Sequence, residues 1–199
     1  MRLFTATREA RDPVPAPANR VRIIGGAWRR RVIRFPLAEG LRPTPDRVRE
    51  TLFNWLGQDL TGKRCLDLYT GSGALALEAA SRGAALVVGV DRNRTLIGAL
   101  RETGELLGTD ALETHSTDAK RFLAGEAREF DVIFLDPPFS EDPWPWLLEA
   151  CATRLAPDGF IYAEAARWLP PPPGFAAWRR DKAGLVHYHL FTRNQDAPA

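Results

Sequence analysis

At 199 residues and 22.1 kDa, the chain suits one domain with a small appendage and can bury a core without disulfides or metals. Its 45% hydrophobic and 26% charged residues are those of a soluble globular protein; no apolar run approaches the roughly eighteen residues of a membrane helix, MRLFTATREARDPVPAPANR lacks a signal-peptide core, and Cys65 and Cys151 are too few for a disulfide framework or zinc site, so a cytoplasmic protein is expected. The net charge of +2 divides into +8 over residues 1–64 and −6 over residues 65–199, which points to a polyanion contact made by one face.

Residues 1–19, with Pro13, Pro15 and Pro17, read as a flexible tail. VRIIGGAWRRRVIRFP predicts a hairpin with strands at 20–24 and 30–35 joined near Gly25-Gly26. LRPTPDRVRETLFNWLG predicts a helix with Thr44 as cap, Pro45 at its first position and Gly57 beyond its end. Val48, Leu52, Trp55 and Leu56 share one face, with Arg47, Glu50 and Asn54 off it. Residues 20–58 therefore read as a basic hairpin-and-helix extension and residues 59–194 as the main domain.

From residue 64 the rhythm changes. RCLDLY, LVVGVD, ALETHST, FDVIFLD and GFIYAEA read as strands, with helices GALALEAASR, TLIGALRETGELLG, DAKRFLAGEA and PWLLEACATRL between them. Such alternation implies βαβ crossovers and a mostly parallel sheet, with Cys65 and Cys151 in the core. After Pro170–Pro173, segments 175–181 and 185–192 flank Gly184 and predict an antiparallel pair at the sheet edge.

The first strand–helix junction reads Asp67-Leu68-Tyr69-Thr70-Gly71-Ser72-Gly73-Ala74. Glycines there let the backbone approach a ligand, and a helix N-terminus offers free N–H groups. No GK[ST] follows, so it is not a phosphate loop of that kind; Gly71, Gly73 and Ala76 fit the nucleotide pattern G-x-G-x-x-G/A. Asp91 ends the next strand, placed to accept from ribose hydroxyls of either NAD or a nucleoside sulfonium. Asp67 favours the sulfonium cofactor S-adenosylmethionine: its carboxylate can take an ammonium but repels a pyrophosphate. Asp118-Ala119 follows the third strand, where the carboxylate can accept adenine amino protons. No Tyr-x-x-x-Lys pair or His–Asp relay for hydride transfer is evident.

The fourth strand ends in Asp136-Pro137-Pro138-Phe139. The prolines stiffen the turn and remove two donors, leaving acceptors. The Asp136 carboxylate and Pro137 carbonyl can grip both hydrogens of an exocyclic amine, and Phe139 can stack on the ring bearing it. Two such acceptors would localise the amine lone pair for in-line attack on a methyl group, with rate gained by positioning.

The order D-x-Y-T-G-S-G-A, V-D, D-A, D-P-P-F resembles class I S-adenosylmethionine-dependent methyltransferases of the amino-methylating kind. Ile23-Ile24-Gly25-Gly26, Leu41-Arg42-Pro43-Thr44, Asp46-Arg47-Val48-Arg49-Glu50-Thr51-Leu52-Phe53-Asn54-Trp55-Leu56, and Gly71 to Leu75 with Leu77-Glu78-Ala79 more narrowly resemble the bacterial RsmD-type family of 16S rRNA (guanine(966)-N2)-methyltransferases. The likeness spans residues 20 to 192. It implies a Rossmann-like α/β fold: a mostly parallel seven-stranded sheet with an antiparallel edge strand and an N-terminal hairpin extension. It also implies an S-adenosylmethionine site of Asp67, Tyr69, Thr70, Gly71, Gly73, Asp91, Arg92, Asp118, Ala119 and Asp136; catalysis by Asp136, Pro137 and Phe139; and a 16S ribosomal RNA substrate in an assembled or assembling small subunit. Two departures stand out: Arg30 replaces the family's usual glycine, and Tyr69-Thr70-Gly71 replaces the commoner Phe-Ala-Gly.

Residues 19–49 hold nine arginines against Glu39 and Asp46. With Trp28 among them they read as an RNA-docking surface, with Arg29, Arg30, Arg31, Arg42, Thr44 and Arg47 as candidate contacts. Trp144 and Trp146 lie near the catalytic turn and can line its rim. His115, His187 and His189 show no metal spacing, and a monomer without bound metal or membrane contact is expected. Other readings are methylation of an amine on DNA or protein, a nucleotide-dependent oxidoreductase, and a non-catalytic RNA-binding module; Asp67 and the intact loop and turn oppose the last two.

Overall fold

The computed structural model describes residues 18–38, 41 and 44–194. The expected tail lies outside the described residues except at its very end, as does Arg42. The chain begins with a two-stranded antiparallel sheet of β1 (Ala18–Arg22) and β2 (Val32–Pro36), followed by α1 (Asp46–Trp55). There follow β3 (Arg64–Asp67), α2 (Ala74–Ser81), β4 (Leu86–Asp91), α3 (Arg94–Leu107), β5 (Leu112–Ser116), α4 (Ala119–Gly125), β6 (Phe130–Leu135), α5 (Trp144–Ala152), β7 (Leu155–Ala165), β8 (Phe175–Ala183) and β9 (Val186–Arg193).

The seven-stranded sheet has the order β5-β4-β3-β6-β7-β9-β8. Strands β3 to β7 are parallel; β9 runs antiparallel to β7 and β8, so the β8–β9 pair closes this edge as expected. The chain moves outward from β3 to β5 and then returns to lay β6 beside β3. Open α/β sheets bind ligands at such a switch point, outside the strand carboxyl ends.

One sheet face packs Leu66, Ile133 and Ile161 against α4 and α5; Phe122, Leu147 and Cys151 belong to that core. The other packs Cys65, Val132, Phe134 and Tyr162 against Val48, Leu52 and Phe53 of α1 and Leu75 and Ala79 of α2. Strand parity follows: Asp67 is in register with Phe134, and Leu135 with Ala163. Asp67, Asp136 and Glu164 therefore continue the second face, the one α1 and α2 cover.

A third core joins Val21, Ile23, Ile33 and Phe35 of the hairpin segment to Leu77 of α2 and Leu100 of α3. Trp28 packs half-buried against it and is not the free stacking platform its sequence position suggested. Gly25-Gly26 does not make the reversal either: Arg30 N–H donates to Ile23 O at 2.8 Å, closing a turn at Ala27–Arg30. The glycine pair instead lets the chain press on the end of α2. Gly26 has φ +70°, and a Cβ there would stand 1.8 Å from Ser81 O.

Glu78 of α2, fully buried, anchors this contact. Its carboxylate accepts Ile24 N–H at 2.9 Å and Gly25 N–H at 2.7 Å, and pairs with Arg49 at 3.3 Å and Arg82 at 2.8 Å. Arg49, counted by sequence among the RNA-facing arginines, is thus entirely buried and structural; it also bonds Asp46 at 2.6 Å. Thr44 does not cap α1. Pro45 holds the cap position, and the Thr44 hydroxyl turns toward Asp136. Among the described residues no helix is long and apolar enough to cross a membrane.

Candidate active site

A cavity of about 940 Å³ opens at the carboxyl ends of β3, β4, β5 and β6. The loop after β3 forms its floor. Gly73, at φ +76°, starts α2 in a left-handed conformation that favours glycine, and a Cβ there would stand 2.5 Å from the Leu100 side chain. Gly71 N–H donates to Asp91 Oδ2 at 2.9 Å, and Asn93 N–H to Oδ1 at 2.8 Å. Asp91 so fixes the loop and also lines the cavity.

Asp67 is 1% exposed. Burial pushes its carboxyl up to about 7; the nearby Asp91 charge adds to this and a hydrogen bond from Thr70 opposes it. Thr70 Oγ1 donates to Asp67 Oδ2 at 3.0 Å, a bond alanine could not make, so the Tyr69-Thr70 departure holds this acid in place. A buried carboxyl at the mouth of a nucleotide-type loop fits a cationic group such as an ammonium. Asp118 caps α4 through Arg121 N–H at 2.9 Å, and its exposed carboxylate faces the same cavity.

Across the cavity stands the turn after β6. Burial holds Asp136 well above the usual carboxylate range, with the charges of Glu164 and Asp67 acting the same way; the Thr44 hydroxyl opposes them, donating to Asp136 Oδ2 at 3.5 Å. Phe139 is 48% exposed at the rim. Arg92 pairs with Glu141 at 3.0 Å, joining the loop after β4 to the loop after β6.

The cavity therefore brings together Asp67, Tyr69, Thr70, Gly71, Asp91, Arg92, Asp118, Ala119, Asp136, Pro137, Phe139 and Thr44. Gly73 lies behind the loop as the cap of α2. Arg29, Arg30, Arg31 and Arg47 are exposed outside the cavity. Arg30 has φ +72°, a left-handed conformation that costs a residue with a side chain more than it costs glycine. Trp146 lines the cavity, whereas Trp144 is core. Sequence reasoning missed Glu164, 3% exposed on β7 and lining the cavity. A charged residue inside the apolar run FIYAEA was the signal for it.

The sheet order, the glycine loop and the acid ending β4 define a Rossmann-like class I methyltransferase fold. A solved structure of the Escherichia coli protein yhhF superposes with a TM-score of 0.79 at 37% identity, covering 88% of this chain and 98% of that one. A magnesium protoporphyrin IX methyltransferase from Synechocystis, solved with bound S-adenosylmethionine, shares the fold at TM-score 0.61 and 18% identity, covering 74% of this chain and 79% of that one. The family described as conserved hypothetical protein 95 matches residues 21–192, and the chain belongs to this family, the RsmD-type family its motifs resemble. The Escherichia coli K12 protein named ribosomal RNA small subunit methyltransferase D is 36% identical over 192 residues, 92% of this chain and 95% of that protein. Its Haemophilus influenzae namesake is also 36% identical, over 89% of this chain and 96% of its own length.

Proposed function

We propose that this protein transfers a methyl group from S-adenosylmethionine to the exocyclic N2 amine of a guanine in 16S ribosomal RNA. The observation that carries the reading is one cavity with two unlike halves. One half offers a buried acid for an ammonium and a half-buried one for a ribose; the other is a proline-stiffened turn that carries an exposed aromatic ring. The names of the relatives, which act on small-subunit ribosomal RNA, support the substrate class.

S-adenosylmethionine, when bound, supplies a methyl group on an electrophilic sulfonium. Asp67 takes the ammonium, Asp91 the ribose hydroxyls, and Asp118 the adenine amine. Tyr69, Thr70, Gly71, Arg92 and Ala119 shape the pocket around them, and Gly73 sets the turn. Asp136 and the Pro137 carbonyl accept the two N2 hydrogens and draw the nitrogen lone pair out of the ring. Phe139 stacks on the base. The raised proton affinity of Asp136 suits its carboxylate to receive the proton that the amine sheds once methylated. Arg29, Arg30, Arg31 and Arg47 lie outside the cavity, where RNA phosphates would pass. Arg42 is proposed with them on sequence grounds alone.

Mapping modified bases in 16S rRNA from cells with and without the gene tests the reading. Loss of a single N2-methylguanosine is expected; an unchanged map would refute it.

A further inference from the structure

The transfer just described leaves one buried acid of the cavity without a task. Glu164 lies on β7 beside Asp136: Leu135 and Ala163 are in register, and each acid follows by one residue. Both line the cavity, on the sheet face that α1 covers. Among the described residues few donors reach their oxygens. Tyr162 Oη donates to Glu164 Oε1 at 2.8 Å, and the Thr44 hydroxyl, which stands beside both acids, has a single proton to give. The two carboxylates therefore present adjacent acceptors to whatever enters the cavity that Phe139 also lines.

We infer that Glu164 is a specificity-determining residue that accepts the N1–H of the target guanine while Asp136 holds its N2 amine. The inference rests on the guanine-N2 reading above. Among the standard bases, guanine alone carries a ring N–H and an exocyclic amine side by side as donors on its Watson–Crick edge; adenine and cytosine place a ring acceptor beside theirs. A carboxylate opposite that ring acceptor would be a buried, unpaired clash, which makes the acid a means of rejection as well as of binding. Tyr162 fixes the Glu164 carboxylate through Oε1. Burial keeps both carboxyls above the usual range, so a base offering two aligned donors is what lets them ionise together.

The test compares small-subunit RNA carrying guanine or 2-aminopurine at the mapped target. 2-Aminopurine keeps the exocyclic amine but has an acceptor at N1. The wild-type protein should prefer guanine in kcat/KM by about tenfold or more. Glu164→Gln can turn its amide NH₂ toward an N1 acceptor, so this preference should fall by about tenfold, with S-adenosylmethionine affinity unchanged. The inference is overturned if the Gln variant slows both substrates in equal proportion. It is overturned equally if the wild-type protein does not distinguish them, a comparison that needs no variant. A wild-type product other than N2-methylguanosine would overturn the guanine reading itself, and this inference with it.

Discussion

Asp67, Asp136 and Glu164 sit where apolar strand residues would otherwise continue, and each carries a desolvation cost that the ligand-free protein offsets only in part. Asp67 gives this a measurable form. Its carboxyl is held at about 7, whereas an unfolded aspartate titrates near about 4, so between these values the native state keeps a proton that the unfolded chain has lost. Stability of the ligand-free protein should therefore fall as pH rises from about 4 to about 7, and Asp67→Asn should flatten that slope. An ammonium needs the ionised acid, so affinity for S-adenosylmethionine should rise over the same interval, with proton release that makes the calorimetric heat buffer-dependent. A pH-independent affinity would remove Asp67 from this role. Asp136→Ala should keep cofactor affinity within about twofold while turnover falls by about 10²-fold or more; single-turnover transfer near the wild-type rate would count against it. These acids differ in how plainly the sequence announces them. Asp67 and Asp136 flank recognisable turns. Glu164 is one letter within a strand, and only the pairing of β7 with β6 brings it to Asp136.

At the scale of elements, the strands and helices of residues 64–193 were legible because the inner strands β4 and β6 are mostly apolar and helical segments alternate with strands. The N-terminal segment was less so, since its conformation depends on α2. Gly25-Gly26 reads locally as a turn, yet it is where the chain meets Ser81; Thr44-Pro45 reads as a cap, yet the threonine serves the cavity. Arg49 reads as a surface charge because its partner Glu78 is 29 residues away. The Glu78 carboxylate ties hairpin, α1 and α2 together, and Glu78→Gln would leave Arg49 and Arg82 buried with no carboxylate at that position. We expect a loss of about 3–5 kcal/mol in denaturant unfolding. A change below about 0.5 kcal/mol would show that the network is not what holds the hairpin.

Over the whole molecule, charge divides as the sequence does, with a basic N-terminal third on an acidic body. Arg20 and Arg34 stand directly opposite each other across β1 and β2, both exposed, a like-charge pair that weakens an isolated hairpin. Arg29, Arg30 and Arg31 are exposed at its turn, and none of these five forms an ion pair among the described residues. Changing Arg29, Arg30 and Arg31 together to Glu should weaken RNA binding at moderate salt. It should also shallow the log–log salt dependence by about one unit for each phosphate that the variant no longer neutralises, about one to two units in all. S-adenosylmethionine affinity should not change. Wild-type RNA affinity and slope in the triple variant would show that the hairpin does not dock the RNA.

The central claim joins the two halves of one cavity, cofactor and amine, and its most direct test is the chemical identity of the product. Small subunits from cells lacking the gene would be incubated with the purified protein and methyl-labelled S-adenosylmethionine, and the 16S rRNA digested to nucleosides. The account predicts label in N2-methylguanosine alone, at one position, incorporated about 10²-fold or more slowly when Asp136→Ala replaces the wild-type protein. Label in any other nucleoside, or undiminished transfer by the variant, would contradict it.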